Sequence, residues 1–73
     1  MVERIISIMS TVLETDESEI NIDSSMKNVD SWDSLKHINL IICLEQELGL
    51  EFTNDEIVQM ISLKKITSII DSK

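Results

Sequence analysis

The sequence predicts an all-α fold: a small antiparallel bundle of three longer helices plus one short helix, with a long loop between the first and second helices. Three observations carry this reading. The 73 residues include one Gly and no Pro, so almost nothing in the composition interrupts a helix. Apolar residues recur three and four apart in separate stretches, the spacing of one helix face. Start and stop residues flank those stretches where helix ends would need them. Residues 1–73 are expected to make a single domain, near the lower size at which a core stands unaided.

Val2, Ile5, Ile6, Met9, Val12 and Leu13 mark the first helix, from about Val2 to about Glu14, with Ile8 flanking the stripe. Its polar side carries no Lys/Arg cluster, which disfavours a membrane-surface helix. From Thr15 to Asp33 the periodicity dissolves into Asp, Glu, Ser and Asn. Ile20, Ile22, Met26 and Val29 are expected to pin this long connection onto the helices. Its acids lack the glycine turn and the terminal glutamate of a calcium loop, so no metal site is expected.

The second helix is expected from about Ser34 to about Leu48, capped by Asp33. Leu35, Ile38, Ile41, Ile42, Glu45 and Leu48 trace heptad-like rows, and Leu40 and Leu44 widen the apolar face. Gly49 suits the left-handed stop, with Leu50 folding back on the last turn. Thr53 and Glu56 form a capping box that opens a short helix bearing Ile57, Met60 and Ile61. Ser62 caps a last helix with Leu63 near its start, followed by Ile66, Ile69 and Ile70. Lys64 and Lys65 lie at that helix's unfavourable dipole end, a placement that suits exposure or a partner.

A net charge of −8 argues against nucleic acid and anionic membrane surfaces, and favours partners with basic faces. Acidity that merely keeps a small protein soluble is the plainer alternative. A single cysteine, Cys43, excludes an internal disulfide framework and a multi-cysteine zinc site. Glu3, Arg4 and Glu14 interrupt the only stretch that resembles a signal peptide, and no apolar run reaches spanning length. The expected compartment is therefore the cytoplasm, without membrane insertion.

The sequence Asp30-Ser31-Trp32-Asp33-Ser34-Leu35 ends the loop and opens the second helix. Asp33-Ser34-Leu35, followed by Ile38, Ile41, Glu45 and Glu47, resembles the acyl carrier proteins and related thiolation domains. The resemblance extends over essentially the whole chain, through the loop pins and the Phe52-Thr53-Asn54-Asp55 turn. It implies that Ser34 carries 4′-phosphopantetheine, donated from coenzyme A by a phosphopantetheinyl transferase. It further implies that Asp33 assists recognition by that enzyme and helps hold a metal in the enzyme's active site. The arm would hold acyl groups as thioesters for enzymes that load and use them through basic docking faces. The chain itself would be a monomeric, non-catalytic carrier. A serine without an adjacent base is a poor nucleophile, and the chain offers only His37, so modification by another enzyme suits Ser34 better than catalysis.

Partner recognition is expected at Asp33, Leu35, Lys36, Trp32, Ile38, Glu45, Glu47 and Glu51. Carriers of general fatty acid synthesis usually begin this helix with acids, where this chain has Lys36, His37 and Asn39. They also have a small residue at the place of Trp32. These departures fit a specialised stand-alone carrier better, with a carrier of fatty acid biosynthesis and an aminoacyl or peptidyl carrier as the alternatives. Trp32 either covers the loop–helix junction or stands exposed as a contact anchor. His37 is expected to face solvent, and Cys43 to be a small buried apolar residue. The competing class is an unmodified acidic helical interaction module in which Ser34 only starts a helix.

Overall fold

The computed structural model describes residues 1–73. Four helices follow in order: α1 (Val2–Leu13), α2 (Ser34–Leu48), α3 (Asn54–Gln59) and α4 (Leu63–Asp71). One 3-10 turn, Glu17–Glu19, interrupts the long loop after α1. No helix is long and apolar enough to cross a membrane.

α1 buries the row Ile5, Met9 and Leu13, while Val2 at its start is exposed. It stops one residue short of the expected Glu14, which takes the left-handed conformation at φ 56° and donates its N–H to the Ser10 carbonyl. Ser10 Oγ then donates to the Thr15 carbonyl at 2.6 Å and fixes the exit direction.

Polar groups as well as apolar pins hold the long loop. Ile20 is buried, and Met26 and Val29 pack against the core. Ile22 is exposed, so it is not the pin that the sequence suggests. In its place the buried Ser24 accepts the Asn21 N–H on its hydroxyl at 2.9 Å. Backbone bonds from Leu63 N–H to the Ser24 carbonyl and from Met26 N–H to the Ile61 carbonyl then stitch the loop to the α3–α4 joint.

α1 and α2 run antiparallel and are tied at both ends. Arg4, near the start of α1, donates to the Glu47 carbonyl at 2.7 Å near the end of α2. At the opposite end, Lys36 Nζ lies 3.5 Å from the Glu14 carboxylate. The buried face of α2 is His37, Leu40, Ile41 and Leu44. This corrects the expected stripe: Leu35, Ile38 and Ile42 are exposed, and Leu48 is half-buried. The helix has apolar residues on two faces, and a bundle of this size covers one of them.

The predicted caps at Gly49, Thr53 and Ser62 are observed. Gly49 adopts φ 65°, and its N–H and that of Leu50 both reach the Glu45 carbonyl, closing α2. The Thr53–Glu56 capping box opens α3, and Ser62 Oγ accepts the Lys65 N–H at 3.2 Å to open α4. Met60 lies just beyond α3 and is fully buried, whereas Ile61 lies outside the helix and is exposed. Leu63, Ile66 and Ile70 complete the core from α4.

Candidate functional site

The approach to α2 is a tight polar turn that surfaces one residue before the helix. Trp32 N–H donates to the Val29 carbonyl at 3.0 Å, and the Ser31 and Thr15 hydroxyls meet at 3.1 Å. Asp33 is extended, and its Oδ1 accepts the Lys36 N–H at 2.9 Å while its carbonyl accepts the His37 N–H at 2.8 Å. The first N–H groups of a helix have no partner within it. Asp33 takes two amides of this first turn, which leaves those of Ser34 and Leu35 at the positive end of α2.

Ser34 is the first helical residue and is exposed. Leu35, at 67% exposure, stands beside it, and Ile38 and Ile42 continue outward along α2 at 56% and 45%. An exposed hydroxyl, two free amides and an adjoining apolar row therefore share one accessible corner. This arrangement fits a serine that carries an anionic group, since the open position leaves room for an attached chain and the helix end stabilises negative charge.

The other expected recognition residues are spread more widely. Lys36 pairs with Glu14 and keeps 28% of its side chain exposed. Glu45 Oε2 accepts the Phe52 N–H at 3.0 Å, so this carboxylate braces the turn after α2. Glu47 is exposed, with Arg4 Nη2 3.6 Å from its carboxylate. Glu51 is exposed. The steps from Ser34 to Glu47 span roughly 20 Å of helix, so these acids sit at the far end of α2.

At the junction itself the structure decides between the two readings of Trp32 and overturns the expectation for His37. Trp32 is only 2% exposed, which removes it as a surface contact anchor and makes it the cover of the loop–helix junction. His37 is 8% exposed and does not face solvent. Its Nδ1 accepts from Trp32 Nε1–H at 3.2 Å, and its Nε2 lies 2.9 Å from the Ile57 carbonyl. With both ring nitrogens engaged, the imidazole is not free to act as a base on Ser34. A signal for this pairing was present in the sequence: Trp32 precedes the cap and His37 is the fourth helical residue, the two positions of an N-terminal staple. Cys43 is half-buried on α2, less enclosed than the sequence suggests.

Residues 3–70 match the sequence model of the family described as phosphopantetheine attachment site. The chain is also 30% identical over 66 residues to an acyl carrier protein of Coprothermobacter proteolyticus, across 90% of this chain and 80% of the relative. The chain belongs to the acyl carrier protein family. The prosthetic group of this carrier family is 4′-phosphopantetheine. Among solved structures, a holo acyl carrier protein of Geobacter metallireducens superposes with TM-score 0.86 at 26% identity, over 99% of this chain and 83% of that one. A Mycobacterium tuberculosis chain assigned as an acyl carrier protein also reaches 0.86, at 21% identity and over 97% and 95% of the two chains. At that identity the second likeness speaks for the fold alone. Both agree with the helical architecture of this carrier.

Proposed function

We propose that Ser34 Oγ is the attachment point of 4′-phosphopantetheine and that residues 1–73 act as one monomeric, non-catalytic carrier domain. The observation that carries the proposal is the exposed Ser34 at the first position of a helix capped by Asp33, inside the matched region. When bound, the group supplies a terminal thiol that holds acyl groups as thioesters. The chain's own part is to present and orient. The Ser34 and Leu35 amides favour the anionic linkage at the helix end. Asp33 holds the first turn and offers the transferase a carboxylate beside the hydroxyl. Leu35 and Ile38 give loading and acyl-using enzymes an apolar contact, while Glu47 and Glu51 meet basic docking faces. Such contacts suit rapid encounter and release.

A specialised stand-alone role is supported by the first turns of α2. Lys36 is drawn to Glu14, His37 is turned inward and Asn39 is uncharged, so Asp33 is the one carboxylate supplied by residues 33–39. A docking face built for partners that read several acids at this end is absent from that stretch.

The deciding experiment is the intact mass after incubation with coenzyme A and a broad-specificity phosphopantetheinyl transferase. The expected result is a gain of one phosphopantetheine on the wild type and none on a folded Ser34→Ala variant. Loading of that variant would overturn the site. No gain on folded wild type with several transferases would leave an unmodified acidic helical module.

A further inference from the structure

The apolar pattern of α2 does not by itself specify which way the helix faces. Leu35, Ile38 and Ile42 on the exposed side are as apolar as Leu40, Ile41 and Leu44 on the buried side. Rotation by one residue, about 100°, would bring part of the outer row inward, but it would carry Glu45 with it and pull its carboxylate from the Phe52 N–H. Burial and Glu45 both favour the observed face, and the polar contacts of His37 add a directional restraint to them.

We propose that the hydrogen-bond chain Trp32–His37–Ile57 is the positioning device that fixes the rotation of α2 and thereby holds Ser34 and the Leu35–Ile38–Ile42 row outward. The indole Nε1–H can only donate, so His37 Nδ1, at 3.2 Å, is the bare ring nitrogen. The proton of the neutral ring is then on Nε2, which donates to the Ile57 carbonyl at 2.9 Å. The chain thus has a direction and joins three segments: the residue before the cap, the first turns of α2, and α3. Its two rings are buried, with centroids 6.0 Å apart and planes at 35°. A rotated α2 would carry His37 away from both partners and leave the buried indole N–H and imidazole unsatisfied. Unmet polar groups of this kind are far more selective than exchange of one aliphatic side chain for another. An aliphatic staple would bury comparable area without this directional restraint.

The consequence for loading rests on the reading of Ser34 as the attachment site; the hydrogen-bond chain does not. The first test therefore needs no transferase. Nitrogen-15 NMR of the intact protein is expected to show His37 protonated on Nε2 and bare on Nδ1, with the Trp32 indole proton protected from exchange. The opposite tautomer would overturn the chain. The second test compares Trp32→Phe, which keeps a ring but loses the donor, with His37→Gln, which keeps a donor towards Ile57 but lacks Nδ1. If part of each folded population presents α2 wrongly, KM for loading rises about five- to tenfold while kcat is retained, because only the competent fraction binds. The double variant should fall no further than the worse single one, since both remove the same bond. Methyl signals of Leu35 and Ile38 should shift in both variants. Folded variants with wild-type KM and unshifted methyl signals would overturn the proposal. If the variants do not fold, the tautomer in the wild type decides. A wild type that does not load would remove the Ser34 reading, and the tautomer and methyl shifts would still test the device.

Discussion

Asp33, Ser34 and Leu35 are neighbours that the helix start separates by role: one carboxylate bonds back to the chain, while a hydroxyl and an isobutyl group face out. The cap and the charge of Asp33 can be tested separately. Asp33→Asn keeps a good cap, and its melting temperature should stay close to wild type. Asp33→Ala should cost about 1 kcal/mol, which in a domain of this size lowers Tm by roughly 4–8 °C. A fall in loading for Asp33→Asn without a fall in Tm would show that the charge is read by the transferase. Equal loading would restrict Asp33 to capping. At the same scale, Trp32 and His37 show how a residue's neighbours reassign it. His37 looks like a surface group by type, Trp32 allowed either reading, and the two are buried together with the indole N–H satisfied by the imidazole.

Among the elements, the short α3 depends most on its ends. Thr53 N–H donates to Glu56 Oε1 at 2.9 Å, and the Glu56 N–H donates to Thr53 Oγ1 at 3.1 Å. Lys73 Nζ lies 2.9 Å from the Glu56 carboxylate and 5.5 Å above the Phe52 ring, which ties the segment after α4 to α3. The Thr53 amide first, and Lys73 after it, hold the Glu56 carboxyl below its ordinary value of 4.5. A carboxyl whose pKa is lower in the folded state stabilises the fold above its ordinary value. That contribution is lost as pH falls through the depressed value. Thermal melts should therefore weaken below about pH 4.5, and Glu56→Gln, which keeps the capping geometry without titrating, should flatten this acid limb. An unchanged limb would assign the acid sensitivity to other groups. At the end of α2, a Cβ on Gly49 would meet no atom within 4 Å, so only the positive φ opposes substitution. Gly49→Ala should then cost about 1 kcal/mol by thermal or denaturant unfolding, and no crowding effect should add to it.

Across the protein surface, charge is distributed unevenly. Arg4, Lys36 and Lys73 are each matched to a glutamate. Lys27 belongs to the loop, and Lys64 and Lys65 to the start of α4, while Arg4 is the cation paired with Glu47 near the end of α2. With a net charge of −8, association with a basic partner should be fast at low salt and slow as salt is raised. Glu47→Lys should reduce the association rate most at low salt, because it reverses a charge and sets a second cation against Arg4. A rate that is equally affected at all salt concentrations would move the electrostatic contact elsewhere on the surface.

The helices, their caps and the position of Ser34 were legible in the sequence because they depend on residues within about four positions of one another. Gly49, the Thr53–Glu56 box, Ser62 and Asp33 each act locally, and each acts in the fold as its side chain dictates. The loop was only partly legible: apolar pins can be read from residue type, but the backbone of Ser24 and Met26 bonds to Leu63 and Ile61, far along the chain. The buried face of α2 was misread for a related reason. The outer row Leu35, Ile38 and Ile42 is apolar enough to be taken for core, and the restraint on its orientation depends on Trp32 and Ile57 meeting His37 in space. Local chemistry was thus enough to say which elements form and that a serine opens the second helix. Which way that helix faces emerged only from the folded chain, because both of its sides carry large apolar residues and the hydrogen bonds of His37 join distant segments.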